Sequence, residues 1–141
     1  MSYRLAIIKQ KGGHMDTSVF IARIFGLSYL VMGMGLLFNR KVFRRIIEDF
    51  AGNSTFTFYG GALALVIGIV IIQTHNLWVS DWRLMVTLIG WAGFIKGAWI
   101  IIFPDSAARF MQAYLKNKNL PVIHSIGAFI LGAVLTFFGY F

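Results

Sequence analysis

The chain has no cysteine in its 141 residues. That removes disulfides, thiol nucleophiles and thiolate metal sites together, and with them any inference about redox compartment. Charge is scarce as well. Asp, Glu, Lys and Arg supply 13% of the residues, against roughly 25% in a soluble domain. Only five residues are acidic, and none falls inside a long apolar run. There is no Gly-rich nucleotide loop, no H-E-x-x-H and no G-x-S-x-G. His75 and His124 lie toward opposite ends of apolar segments, too far apart across a core of about 30 Å to be the two axial ligands of one haem. No carboxylate stands beside His124 to begin a metal set. The sequence therefore predicts no cofactor, no metal and no enzymatic activity.

What is present is apolar. The hydrophobic set reaches 58%, with 14 Phe, and four runs dominate: Val19–Phe38, Phe56–Ile72, Leu84–Phe103 and Val122–Phe141. A spanning helix needs roughly 20 such residues, with about 17 as the lower end; the second run sits at that margin. A chain this short cannot hide four such helices inside a soluble bundle. The expected fold is an all-α membrane protein of four transmembrane helices. The first run ends at Asn39-Arg40-Lys41 rather than at a small-residue cleavage site, so it reads as a retained span. Residues 1–15 form a tail in which Gly12-Gly13-His14-Met15 resembles the join left by a cloning vector, with a native short tail as the alternative. Residues 16–141 make a single transmembrane domain.

Basic residues set the expected orientation. Arg40, Lys41, Arg44 and Arg45 follow the first span, and Arg109, Lys116 and Lys118 follow the third. The middle connection offers only Arg83, and the segment from Met15 only Arg23. Lys and Arg accumulate on the cytoplasmic side of short connections, so both long connections are expected in the cytoplasm and both termini outside. Each long connection also reads as an amphipathic helix. Val42, Phe43, Ile46, Ile47 and Phe50 recur at steps of three and four in Lys41–Phe50, and Ser106–Leu115 repeats the pattern more weakly, with Asp105 or Ser106 as its expected cap. Such helices lie in the interface, cations toward anionic headgroups, or cover the inner ends of the spans. The positive charge beside spans points to lipid rather than nucleic acid. Span, amphipathic helix and span thus occur twice. Phe38 and Arg44 match Phe103 and Arg109 at an offset of 65 residues, a weak sign of parallel two-fold repeats about the membrane normal.

Within the spans, Gly90, Gly93 and Gly97 share one side of the third helix, a smooth surface for close helix approach. Gly60, Gly61 and Gly68 on the second are the expected receiving surface, with another subunit as the alternative. Lys96 is the costly residue: a Lys at a span centre costs roughly 2.5–3.5 kcal/mol. It either snorkels toward the interface or serves as an anion or lipid anchor or as part of a polar route. Arg23, His75, Asn76, Asp81 and Arg83 gather at the outer rim. There they make a bonded turn, with Asp81 pairing Arg23 or Arg83, or a small ligand site. Trp78 and Trp82 suit the aromatic belt.

The spacing His75-Asn76-x-Trp78, then Trp82, Thr87, Gly90-Trp91 and Lys96-Gly97, resembles a family of small uncharacterised four-span bacterial inner-membrane proteins. The resemblance centres on residues 73–104. It implies a bacterial inner-membrane setting and importance for His75, Asn76, Trp91 and Lys96, and it brings no activity with it. The function expected is a non-enzymatic membrane component, self-associating or accessory to another membrane protein. The alternative is a small oligomeric channel or transporter, with an enzyme acting on lipid third.

Overall fold

The computed structural model describes the backbone of residues 2–141 and the side chains of residues 2–6 and 17–141. The vector-join reading of the tail falls largely outside those side chains. Six helices follow one another: α1 (Ser2–Phe38), α2 (Arg40–Gly52), α3 (Ser54–Thr74), α4 (Arg83–Ile102), α5 (Pro104–Lys116) and α6 (Leu120–Tyr140). No strand occurs among the described residues. Four segments are long and apolar enough to cross a bilayer: Thr17–Phe38, Ser54–Thr74, Arg83–Ile102 and Leu120–Tyr140. Between 22% and 28% of each is buried within the protein, so most of the apolar surface faces outward, as lipid requires and water would not tolerate. This is a four-span membrane-helix bundle.

The second span is longer than its apolar run because polar residues carry its ends. Asn53 caps it, its Oδ1 accepting from the Thr55 and Phe56 amides at 3.0 and 3.4 Å. At the far end the Thr74 hydroxyl donates to the Val70 carbonyl at 2.7 Å, so a hydroxyl residue stays in the helix by bonding back into it. Pro104 separates α4 from α5. It pushes the preceding Phe103 out of the helical region, to φ −126° and ψ 64°, and then occupies the first turn of α5, where its missing N–H costs nothing. Phe103 therefore takes the N-cap position, with no side-chain cap bond. Asp105 sits in the first turn instead of capping, where its charge complements the helix dipole.

Pairing runs across the halves of the chain. α1 packs along α6 and α3 along α4, while α2 and α5 meet each other at one end of the bundle. The ends of α3 and α6 lie 66 residues apart, while the other matched helix ends fall 64 apart: Phe38 and Ile102, Arg40 and Pro104, Gly52 and Lys116. That is one fewer than the Phe38–Phe103 match suggests. Close helix approaches recur at the same interval. A Cβ on Gly68 would strike the Phe94 amide and the Gly90 carbonyl, and one on Gly132 would strike the Leu30 amide and the Gly26 carbonyl. Gly97 abuts the Leu65 backbone and Gly33 the Phe129 backbone; Gly90 faces the Ile71 side chain, and Gly26 the Thr136 amide and hydroxyl and then the Leu135 carbonyl carbon. Both pairs use the same device, backbone against backbone with glycine at the contact.

α2 seats its rings on glycines of the spans it joins. The Phe43 ring lies where a Gly35 Cβ would come within 3.0 Å, and Phe50 stands in the same way against Gly60 at 2.9 Å. On α5, Ala107 is buried and the Phe110 ring meets Trp99 edge-on at 5.6 Å. Val42, Ile46 and Phe110 remain exposed, so each short helix both covers span ends and presents apolar groups outward. The most buried cluster is Ile21, Ala22, Ile71, Val86 and Leu135, which draws on all four spans near the end that carries the loop 75–82.

Candidate functional site

The chain leaves α3 at Thr74 and re-enters α4 at Arg83, and the intervening loop is tied down by side chains from α1, α4 and α6. His75 is the C-cap of α3, its amide donating to the Ile71 carbonyl at 2.6 Å. Its ring is buried, with Nε2 at 2.6 Å from the Ser18 hydroxyl of α1 and Nδ1 at 3.3 Å from the Thr87 hydroxyl of α4. Thr87 also receives the Leu77 amide at 3.1 Å and donates to the Leu77 carbonyl at 2.9 Å. A threonine hydroxyl has one proton to give. The Leu77 backbone and the His75 ring share that one hydroxyl. One imidazole thus joins α1, α3 and α4.

Asn76 organises the indoles. Its Oδ1 accepts from Trp78 Nε1 at 2.8 Å and from Trp91 Nε1 at 3.3 Å, with the two rings 6.5 Å apart. Trp82 stacks flat on Phe138 of α6, at 5.5 Å and 2°. Asp81 pairs with Arg83 and not with Arg23. The Arg83 guanidinium reaches Asp81 Oδ2 at 2.6 and 2.9 Å, and the Arg83 amide reaches Oδ1 at 2.8 Å. These bonds to Arg83 hold the Asp81 carboxyl below its ordinary range. Arg23 binds elsewhere: Nε donates to the Gly139 carbonyl at 2.6 Å, and its guanidinium carbon lies 4.9 Å from the Tyr140 ring centre. It fastens α1 to the end of α6.

Lys96 is exposed, on the outward side of α4 with Leu88 and Ile95. No carboxylate pairs with it among the described residues. It stands apart from the rim cluster. His124 lies near the start of α6, its ring meeting Tyr114 at 6.0 Å, at the other end of the bundle from His75. Of the helix-packing glycines, Gly61, Gly90 and Gly97 lie buried between α3 and α4, and a Cβ on Gly93 would come within 3.3 Å of the Ala64 carbonyl. Gly60 faces Phe50 rather than α4.

Two members of the network, Ser18 and Thr87, were not assigned a role from sequence. Ser18 precedes the first apolar run, Val19–Phe38, by one residue and so falls just outside it. Thr87 lies inside the third run, and Arg83, its charged neighbour at helical spacing, falls outside that run and bonds Asp81 instead. No group of three or more His, Asp or Glu stands together among the described residues. The polar groups of the rim bond to one another and to backbone, and so tie helices together. Comparisons with family models, with curated proteins and with solved structures return no match.

Proposed function

We propose that this chain is a non-enzymatic membrane component that works by association, with lipid and with further copies of itself or another membrane protein. One observation carries the reading. Lys96, six residues inside the end of its span, is exposed on the outer face of α4 instead of turning into the bundle. A Lys held there costs roughly 2.5–3.5 kcal/mol unless its ammonium reaches the interface or meets a partner. The packing supports the same reading: backbone approaches at Gly33, Gly68, Gly97 and Gly132 join the helices within each pair, and the rim polar groups are spent on holding helices.

On this reading the setting is a bacterial inner membrane, with α2 and α5 in its cytoplasmic interface and both termini outside. The two halves are parallel repeats related by an axis along the membrane normal, supported by the 64-residue recurrence of helix ends and glycine contacts. A channel remains the second reading, also on Lys96: its outward position puts any conducting route between copies rather than through one.

The test is purification in native-lipid particles, followed by mass measurement and identification of what travels with the protein. A defined homo-oligomer or a stoichiometric protein partner is the expected result. A bare monomer with neither would overturn the proposal.

A further inference from the structure

A cleft of about 170 Å³ opens at the α2/α5 end, between the last turn of α1, the first half of α2 and the start of α6. Its walls divide by chemistry. Leu36, Phe43, Ile47 and Val122 make an apolar side, while Arg40, Arg44 and Lys118 bring three cations to the opening, with no acidic residue in the lining. Glu48 holds Arg44 Nε at 3.0 Å from outside the cleft, which leaves the four other N–H groups of that guanidinium to donate. The depth suits the edge of a bilayer. Leu36 lies two residues from the end of its span, and Ser125, also in the lining, lies five residues into α6, about 7.5 Å along the helix. Cations thus stand at headgroup level and apolar walls at the level of the first acyl carbons.

The other half of the chain is an internal control. At the 64-residue interval the positions of Arg40 and Arg44 are Pro104 and Ala108, and that of Lys118 is Ser54. Helix ends and glycine contacts repeat between the halves, but none of the three cations does. Their gathering on one side is therefore not a by-product of the architecture. We infer that this cleft binds the phosphate headgroup of an anionic phospholipid, with an acyl chain laid along Leu36, Phe43 and Val122. Its volume is below the roughly 300 Å³ of a site that encloses a drug-sized ligand, so it holds the headgroup and the top of a chain while the rest stays in the membrane. The inference deepens the association reading and rests on it.

The test uses the full chain in detergent micelles with phosphatidylglycerol or phosphatidylcholine, read by native mass spectrometry. The wild type is expected to retain phosphatidylglycerol selectively. Interfacial cations contribute roughly fivefold each, so Arg40→Gln/Arg44→Gln/Lys118→Gln together should lower retention on the order of 100-fold. Lys41→Gln/Arg45→Gln, which remove charge from α2 outside the cleft, should leave most of it. Equal loss in that control would reduce the effect to diffuse charge and overturn the site. Displacement of the lipid by millimolar inorganic phosphate would overturn the lipid assignment in favour of a free-anion site. Should the triple variant misfold, Arg40→Gln and Lys118→Gln singly must each weaken retention about fivefold; unchanged retention overturns the proposal. A wild type that carries a stoichiometric protein partner but prefers neither lipid would overturn the cleft and leave the association reading standing.

Discussion

Thr87 has one hydroxyl and three groups that depend on it: the Leu77 amide, the Leu77 carbonyl and His75 Nδ1. Hydrogen bonds between membrane helices average about 0.6 kcal/mol in double-mutant cycles and reach about 1.7. The coupling between His75→Ala and Thr87→Ala, measured by reversible unfolding in micelles, should fall in that range. A coupling of zero would mean the ring and the hydroxyl do not act together. Asp81 and Arg83 give a pH signature at the same rim. Because Arg83 holds the Asp81 carboxyl below its ordinary range, the pair's stabilisation is present above the unfolded carboxylate value, about 3.9, and is lost as pH falls through the lower folded value. The stability gap between wild type and Asp81→Asn should therefore be open at pH 7 and close on acidification. A gap that widened toward pH 3 would contradict the pairing. Lys96→Met keeps the side-chain length and removes the charge. If association is its role, the variant inserts and keeps its fold, its oligomer mass or bound partner changes, and ion flux in proteoliposomes equals that of the wild type. Flux present in the wild type and lost in Lys96→Met would instead favour the channel.

Among the elements, the smooth face of α4 was readable from the spacing of Gly90, Gly93 and Gly97, and so was its antiparallel neighbour, because α3 and α4 are joined by a short loop. The other packed pair was not. Nothing local links α1 to α6, whose facing glycines, Gly26, Gly33 and Gly132, lie about 100 residues apart in sequence. Period and composition describe one helix at a time and say little about which distant helix it meets. The same limit explains Gly60, which reads as part of a span surface but receives the Phe50 ring of α2. The glycines also differ in what they tolerate. A Cβ at Gly97 runs into the Leu65 backbone, whereas one at Gly127 meets nothing within 4 Å. Overpacking costs typically 1–3 kcal/mol, so Gly97→Ala, and Gly33→Ala on the other pair, should lower unfolding stability by about that much. Gly127→Ala should be neutral or slightly stabilising, since Ala is the better helix former by up to about 1 kcal/mol. Indistinguishable stabilities would mean the close approaches are absent.

For the whole molecule, the four spans and two short helices were legible because apolar length and amphipathic period are properties of contiguous residues. The bonded rim was legible only in part: the sequence brought His75, Asn76, Asp81 and Arg83 together but not Ser18, which arrives from the far end of α1. α2 and α5 occupy one end of the bundle, and seven of the chain's cations flank or lie in them. Labelling of single Cys substitutions should accordingly mark Ser54 and Asn119 as cytoplasmic and Ser80 as outside; the opposite pattern would invert the orientation. The cross-half pairing also bears on how such a chain is made. α1 enters the bilayer about 80 residues before α6 begins, and at 5–20 residues per second the full partner is available only after roughly 5–20 s. Through that interval Gly26 and Gly33 face lipid, and Arg23 has yet to find the Gly139 carbonyl, while α3 and α4 are already able to close on each other. Biogenesis therefore has a vulnerable window, in which the earliest helix waits as an unmatched strip that a quality-control protease, or a neighbouring nascent chain, can engage first.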